Sequence, residues 1–140
     1  VAFSPDFNAS TGTGLIAIAD NGNSSVVVVF SYTPGTPSTL AKQASSSSGL
    51  SIPYSVAFSP DFNATTGTGL IAIASYNSRS VVVFSYTAGT PTGTLTKQAS
   101  SSSGLSDPRS VAFSPDFNAT TGAGLIAIAS SGNSSVVVFS

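Results

Sequence analysis

One sentence of sequence is written three times along this chain. Residues 1–19 read VAFSPDFNASTGTGLIAIA, residues 56–74 differ from them only by Thr65 in place of Ser10, and residues 111–129 differ from the second copy only by Ala123 in place of Thr68. The copies start at Val1, Val56 and Val111, a period of 55 residues. A period of this size marks an array of supersecondary units, each too small to bury its apolar face alone and stabilised by its neighbours. Residues 1–55 form a first repeat, 56–110 a second and 111–140 a partial third. Copies this alike offer the same side chains each time, whereas a catalytic site needs different groups in different places. The repeat therefore points to an architectural protein and away from an enzyme.

What the chain lacks points the same way. It has no Cys, His, Met, Trp or Glu, which removes the usual base at neutral pH, the thiolate nucleophile and the commonest zinc ligands. No metal or cofactor is expected. Four cations (Lys42, Arg79, Lys97, Arg109) and five Asp (Asp6, Asp20, Asp61, Asp107, Asp116) leave a net charge of −1. That balance gives no electrostatic footprint for nucleic acid or acidic membranes. No apolar run approaches the length of a membrane span, and neither a signal peptide nor a small-molecule site can be read. Beginning at Val1 without Met, the sequence reads as a mature or excised segment. Charged residues make up 6% of it, against roughly a quarter in ordinary soluble domains. Something other than charge must keep such a surface hydrated.

Within each copy, short β-branched and aromatic runs alternate with Gly, Pro, Asn and Ser, the punctuation of strands and turns. In the first copy the strands are expected at residues 1–4, 15–19, 26–30 and, more polar, 40–47. Along Leu15-Ile16-Ala17-Ile18-Ala19, one face carries Ile16 and Ile18 and the other carries Leu15 and two alanines. Both faces are apolar. Such strands belong in sheets covered on both sides, with the alanines letting a neighbouring sheet come close. The expected fold is all-β: tandem four-stranded antiparallel blades, propeller-like, and open rather than closed within one chain.

The segments Ser-Val-Ala-Phe-Ser-Pro-Asp at 55–61 and 110–116 resemble blades of the lactonase-like and WD-repeat propeller families. In those families a VAFSPDG strand is followed by an LLAVA strand, an Asn/Gly hairpin and a VSVFS strand. Residues 69–74, 76–78 and 80–85 occupy those places. The resemblance implies four-stranded blades around an axis. Three departures stand against it: an inserted loop at 62–69 where Gly is expected, no Trp-Asp pair, and a period longer than the roughly 40–45 residues usual for a blade. Closed propellers also need at least about four blades, so this stretch cannot close alone.

The motif with chemical meaning is on asparagine. Asn8, Asn63 and Asn118 each begin an Asn-Ala-Ser/Thr sequon, and Asn23 and Asn133 begin Asn-Ser-Ser. These are acceptor sequences for N-glycosylation, although Asn is also an ordinary turn residue. Asn77 begins Asn-Ser-Arg and is not an acceptor. Covalent glycans would supply the hydration that charge does not. The two classes fall in successive hairpin loops and so at opposite ends of a blade. Segments 31–39 and 85–96, with the serine tracts 45–48 and 100–103, are open to O-glycosylation or to plain loop chemistry.

Asp6, Asp61 and Asp116 recur beside Pro. Each copy brings one carboxylate where calcium needs several, so a turn-stabilising Asp accepting backbone N–H groups is expected. Lys42 and Lys97 read as edge-strand lysines that discourage stray pairing. Tyr54 and Arg109, unlike residues at equivalent positions, mark solvent or contact variation. Together these readings predict an extracellular or cell-surface glycosylated repeat protein of a fibre, sheath or coat, self-associating as a homo-oligomer or filament by head-to-tail contacts. The alternative reading is a carbohydrate- or protein-binding fragment of a closed propeller.

Overall fold

The computed structural model describes residues 1–22 and 25–140, so the sequon at Asn23 lies outside the described residues. The chain is all-β and open. Strands β1 (Ala2–Phe3), β2 (Ile16–Asp20), β3 (Val26–Thr33) and β4 (Thr39–Ser46) form one antiparallel sheet in chain order. The second sheet repeats it with β5 (Pro53–Phe58), β6 (Ile71–Ser75), β7 (Ser80–Thr87) and β8 (Thr94–Ser101). The third holds β9 (Pro108–Phe113), β10 (Ile126–Ser130) and β11 (Ser135–Phe139). Among the described residues there is no helix, and none therefore long and apolar enough to cross a membrane.

The third strand is longer than its apolar run. Ser31, Tyr32 and Thr33 continue β3 and pair with Ala41, Leu40 and Thr39, after a register shift at Val29/Phe30. The same shift recurs at Val83/Phe84. Much of the Ser/Thr-rich sequence is thus built into strands, Ser45 and Ser46 included. Pro53 and Pro108 begin the first strands of their sheets at irregular pairings, where a missing N–H is tolerated.

Side-chain alternation gives each sheet two unlike faces. Leu15, Ala17, Val27, Val29 and Ala44 of the first sheet pack against Val56, Phe62, Ile71, Ile73, Val82 and Phe84 of the second. Ala72, Ala74, Val81 and Val83 on the opposite face of the second sheet meet Val111 and Ile128 of the third. A small-residue face therefore meets an isoleucine and aromatic face at both junctions, and the middle sheet is covered on both sides. Every residue of β6 is buried, with Ile71, Ala72, Ile73 and Ala74 at 0% exposure. The outer sheets keep one face bare. Val1, Phe3, Ile18 and Leu40 are exposed at one end, and Leu125, Val136 and Val138 at the other.

The linkers tie successive sheets together. Ser75 Oγ accepts from Ser51 N (2.8 Å) and donates to Ser51 O (3.0 Å), and Ser130 Oγ does the same with Ser106 N and O at 2.8 and 2.6 Å. Leu50 and Leu105 turn from these linkers into the two cores. Among the described residues, no buried side-chain N or O lacks a hydrogen-bond partner.

Two-sided burial predicts that Ile71→Asn destabilises the chain by roughly 3 kcal/mol or more, from lost apolar burial and an unpartnered amide. Thr66→Ala, on an exposed loop residue, should stay within about 0.5 kcal/mol. Urea unfolding of both variants checks this, and equal tolerance would contradict the burial of β6.

Candidate functional site

The three Asn-Ala-Ser/Thr sequons sit in one compact loop, repeated at 7–14, 62–69 and 117–124. In the first, Asn8 N donates to Thr13 O (3.0 Å) and Gly12 N to Asn8 O (2.8 Å), closing a small hairpin. Its glycine is obligatory. Gly14, Gly69 and Gly124 have φ of +80°, +84° and +98°, and a Cβ there would lie 2.4–2.5 Å from the Cα of Phe7, Phe62 or Phe117. The insertion that separates this chain from propeller motifs is thus a folded element, braced against its own phenylalanine.

Each sequon asparagine uses its oxygen inside the loop. Asn8 Oδ1 accepts from Ser10 N (2.9 Å) and Thr11 N (3.2 Å), and Asn63 Oδ1 accepts from Thr65 N (3.0 Å) and Thr66 N (2.9 Å). Asn118 Oδ1 accepts from Thr120 N and Thr121 N, both at 3.0 Å. The Nδ2 groups of these three residues make no hydrogen bond among the described residues. That nitrogen is the atom a glycan would take. Asn133 differs: its Nδ2 donates to Gly104 O (2.9 Å) and its Oδ1 accepts from Ser135 Oγ (2.8 Å). Asn77, which is no acceptor, likewise donates to Ser51 Oγ (2.9 Å). In the second loop class the amide pins the linker.

The recurring aspartates act between repeats. Ser4 Oγ accepts from Leu15 N (2.8 Å) and donates to Asp6 Oδ1 (2.6 Å), while Asp6 Oδ2 accepts from Ala64 N of the next repeat (2.9 Å). The arrangement recurs through Ser59, Leu70 and Asp61, with Asp61 Oδ2 accepting from Ala119 N at 2.7 Å. This corrects the expectation of a carboxylate capping its own turn: Asp6 and Asp61 do accept backbone N–H groups, but from the following sequon loop. Only Leu125 N to Ser114 Oγ (2.8 Å) forms in the third copy, and Asp116 is exposed without a side-chain partner among the described residues. Because each clasp grips the residue after the sequon asparagine, Asn63 and Asn118 are half-buried where Asn8 is exposed. The clasps bring successive sequon loops side by side along one edge, and sheets packed face to face generally lie about 10 Å apart.

A second inter-repeat contact is unique to the last junction. The Arg109 guanidinium lies 4.6 Å from the Tyr54 ring centroid and 4.8 Å from that of Tyr76, and its Nε donates to Ser131 Oγ (3.3 Å). The variation at these strand positions is therefore contact variation, a cation–π contact.

One apolar cleft of about 530 Å³ is lined by Phe3, Phe7, Ala9, Ile16, Tyr32, Ser38, Thr39 and Leu40. Its counterparts in the second repeat, Phe62, Ile71, Tyr86 and Leu95, are buried beneath the first repeat. The cleft is thus the first repeat's copy of a face that the second repeat buries in its junction. Burial pushes the Tyr86 hydroxyl above its usual range. Among the described residues no three His, Cys, Asp or Glu side chains come together.

Compared with protein-family models, curated proteins and solved structures, the chain matches none. The resemblance to lactonase-like and WD-repeat blades rests on the quoted motifs and on the all-β sheet repeats.

The clasp makes one aspartate a control for another. Asp61→Ala should cost about 1.5–3 kcal/mol, the range for a hydrogen bond to a charged group, whereas Asp116→Ala should change stability by less than about 0.5 kcal/mol. Chemical denaturation of the two variants measures the difference, and equal effects would remove Asp61 from the inter-repeat contact.

Proposed function

We propose that this chain is a non-catalytic, extracellular, glycosylated structural protein whose blade-like repeats stack head to tail into a fibre, sheath or surface coat. The observation that carries this reading is the junction between repeats: it is made twice, by the same residues, between two faces that differ. Unlike faces make heterologous contacts, which extend indefinitely unless the rotation per unit closes a ring. Stiffness comes from antiparallel ladders and interdigitated apolar faces, and the asparagine loops carry the hydration.

The sequon geometry supports the coat. Asn8, Asn63 and Asn118 hold their loops with the amide oxygen and leave the nitrogen without a protein partner. A glycan on each, about 10 Å from the next, would form a hydrated row along one edge of the stack. It would screen the poorly charged surface from lateral aggregation and from proteases. Asn133 sits at the opposite end of its sheet, and a sugar there would compete with the Nδ2 bond to Gly104 O. A ligand-binding reading would draw on the aromatic cleft of the first repeat, but burial of the equivalent residues in the second repeat favours a stacking surface.

Glycopeptide mass spectrometry of the native material tests the coat. Asn8, Asn63 and Asn118 should carry sugar, Asn133 should be occupied less often, and Asn77 should be bare. Unmodified Asn63 and Asn118 would overturn it.

A further inference from the structure

The clasp that joins successive repeats has its two halves unmade at opposite ends of this chain. Asp116, equivalent to Asp6 and Asp61, is exposed and has no side-chain hydrogen bond among the described residues, and Ala9, equivalent to Ala64 and Ala119, is exposed with its N–H unpaired among them. The apolar faces around these halves are also bare. On the bare side of the third sheet Leu125, Val136 and Val138 are 44%, 69% and 52% exposed. They match Leu70, Val81 and Val83, which face the third sheet in the chain's own junction. On the bare side of the first sheet lie Phe3 and Ile16, which line one cleft with Ala9, and Ile18; they match Phe113, Ile126 and Ile128 on the other side of that junction.

We propose that these are the two sides of one interface: a second copy of this chain seats its first repeat on the third repeat of its partner, with Asp116 accepting the Ala9 N–H across the contact. The proposal rests on the head-to-tail reading above and adds its register and its specificity element. The occupant follows from continuity with the internal junctions, which bring the same residue types together twice in this arrangement. The faces cannot pair with themselves by that contact, because alanine must meet isoleucine for the sheets to approach and the carboxylate needs an N–H opposite it. The junction between chains should be weaker than the one between the first two repeats. The latter includes contact between β4 and β8, and the third sheet has three strands.

The test uses the 140-residue chain, which has no cysteine of its own. Ala9→Cys and Asp116→Cys are made singly and together, at exposed positions, and treated with a short bismaleimide cross-linker at a concentration well over tenfold above that at which the unmodified chain assembles, because Asp116→Cys removes the clasp carboxylate. The unmodified chain and Asp116→Ala are followed by sedimentation across a concentration series. The double variant should give a ladder of covalent multimers on denaturing gels, while the single variants give none. Asp116→Ala should weaken association about tenfold or more, with an unchanged circular dichroism spectrum and, at dilutions where both chains are monomeric, an unchanged melting curve. Assembly beyond dimers without any 9-to-116 cross-link would overturn this register while leaving the stacked array intact. Dimers in a single variant would indicate like-to-like pairing and overturn both, as would a 13.8 kDa monomer persisting at micromolar concentration.

Discussion

The contact between a face of alanine and valine and a face of isoleucine and phenylalanine organises everything else in this molecule. A single four-stranded meander has two apolar faces and too little bulk to cover either, so each sheet depends on a neighbour. Ala72 and Ala74 lie at 0% exposure against the third sheet, and Ile71 and Ile73 at 0% against the first. Small residues on one side are what allow large ones on the other to fill the gap without voids. Directionality follows. Because the two faces differ, the stack has a head and a tail, and the polar devices at its rim only need to fix the register.

Those devices are economical. Ser59 satisfies Leu70 N–H within its own sheet and passes its hydroxyl hydrogen to Asp61, which leaves the second carboxylate oxygen for Ala119 N–H of the next repeat. The serines at the strand ends, Ser75 and Ser130, hold the linkers in a similar way. A chain with few charges thus places a carboxylate where it aligns two sheets. The same clasp sets the spacing of the asparagine loops, so the proposed glycan row takes its interval from the packing of the core.

The strands, and the two-sided burial of the middle sheet, were legible in the sequence, because runs such as Leu70-Ile71-Ala72-Ile73-Ala74 sort isoleucine and alanine onto opposite faces with period two; the same run in the first sheet departs from the expectation, its Ile18 standing exposed on a bare face. The compact hairpin at 62–69 was visible only as an insertion, since its closure depends on Gly69 approaching the backbone of Phe62. The inter-repeat role of Asp6 and Asp61 was not legible. Their recurrence beside Pro pointed to local turn chemistry, and nothing in the local pattern indicates a partner 58 residues away. The contact of Arg109 with the Tyr54 and Tyr76 rings was hidden for the same reason: its members are singular departures from the repeat, brought together only by stacking. Among the asparagines, sequon spelling could not separate Asn118 from Asn133. Which amide atom the fold employs does separate them.

Stacking, and not the single sheet, is the source of stability in this fold. Urea unfolding of chains carrying one, two, three and four repeats tests this most directly. A single repeat should be unfolded in water, and the midpoint should climb with each repeat added and then level off, as for a one-dimensional array with strong nearest-neighbour coupling. A single repeat that folds with the same midpoint as the longer chains would contradict the account.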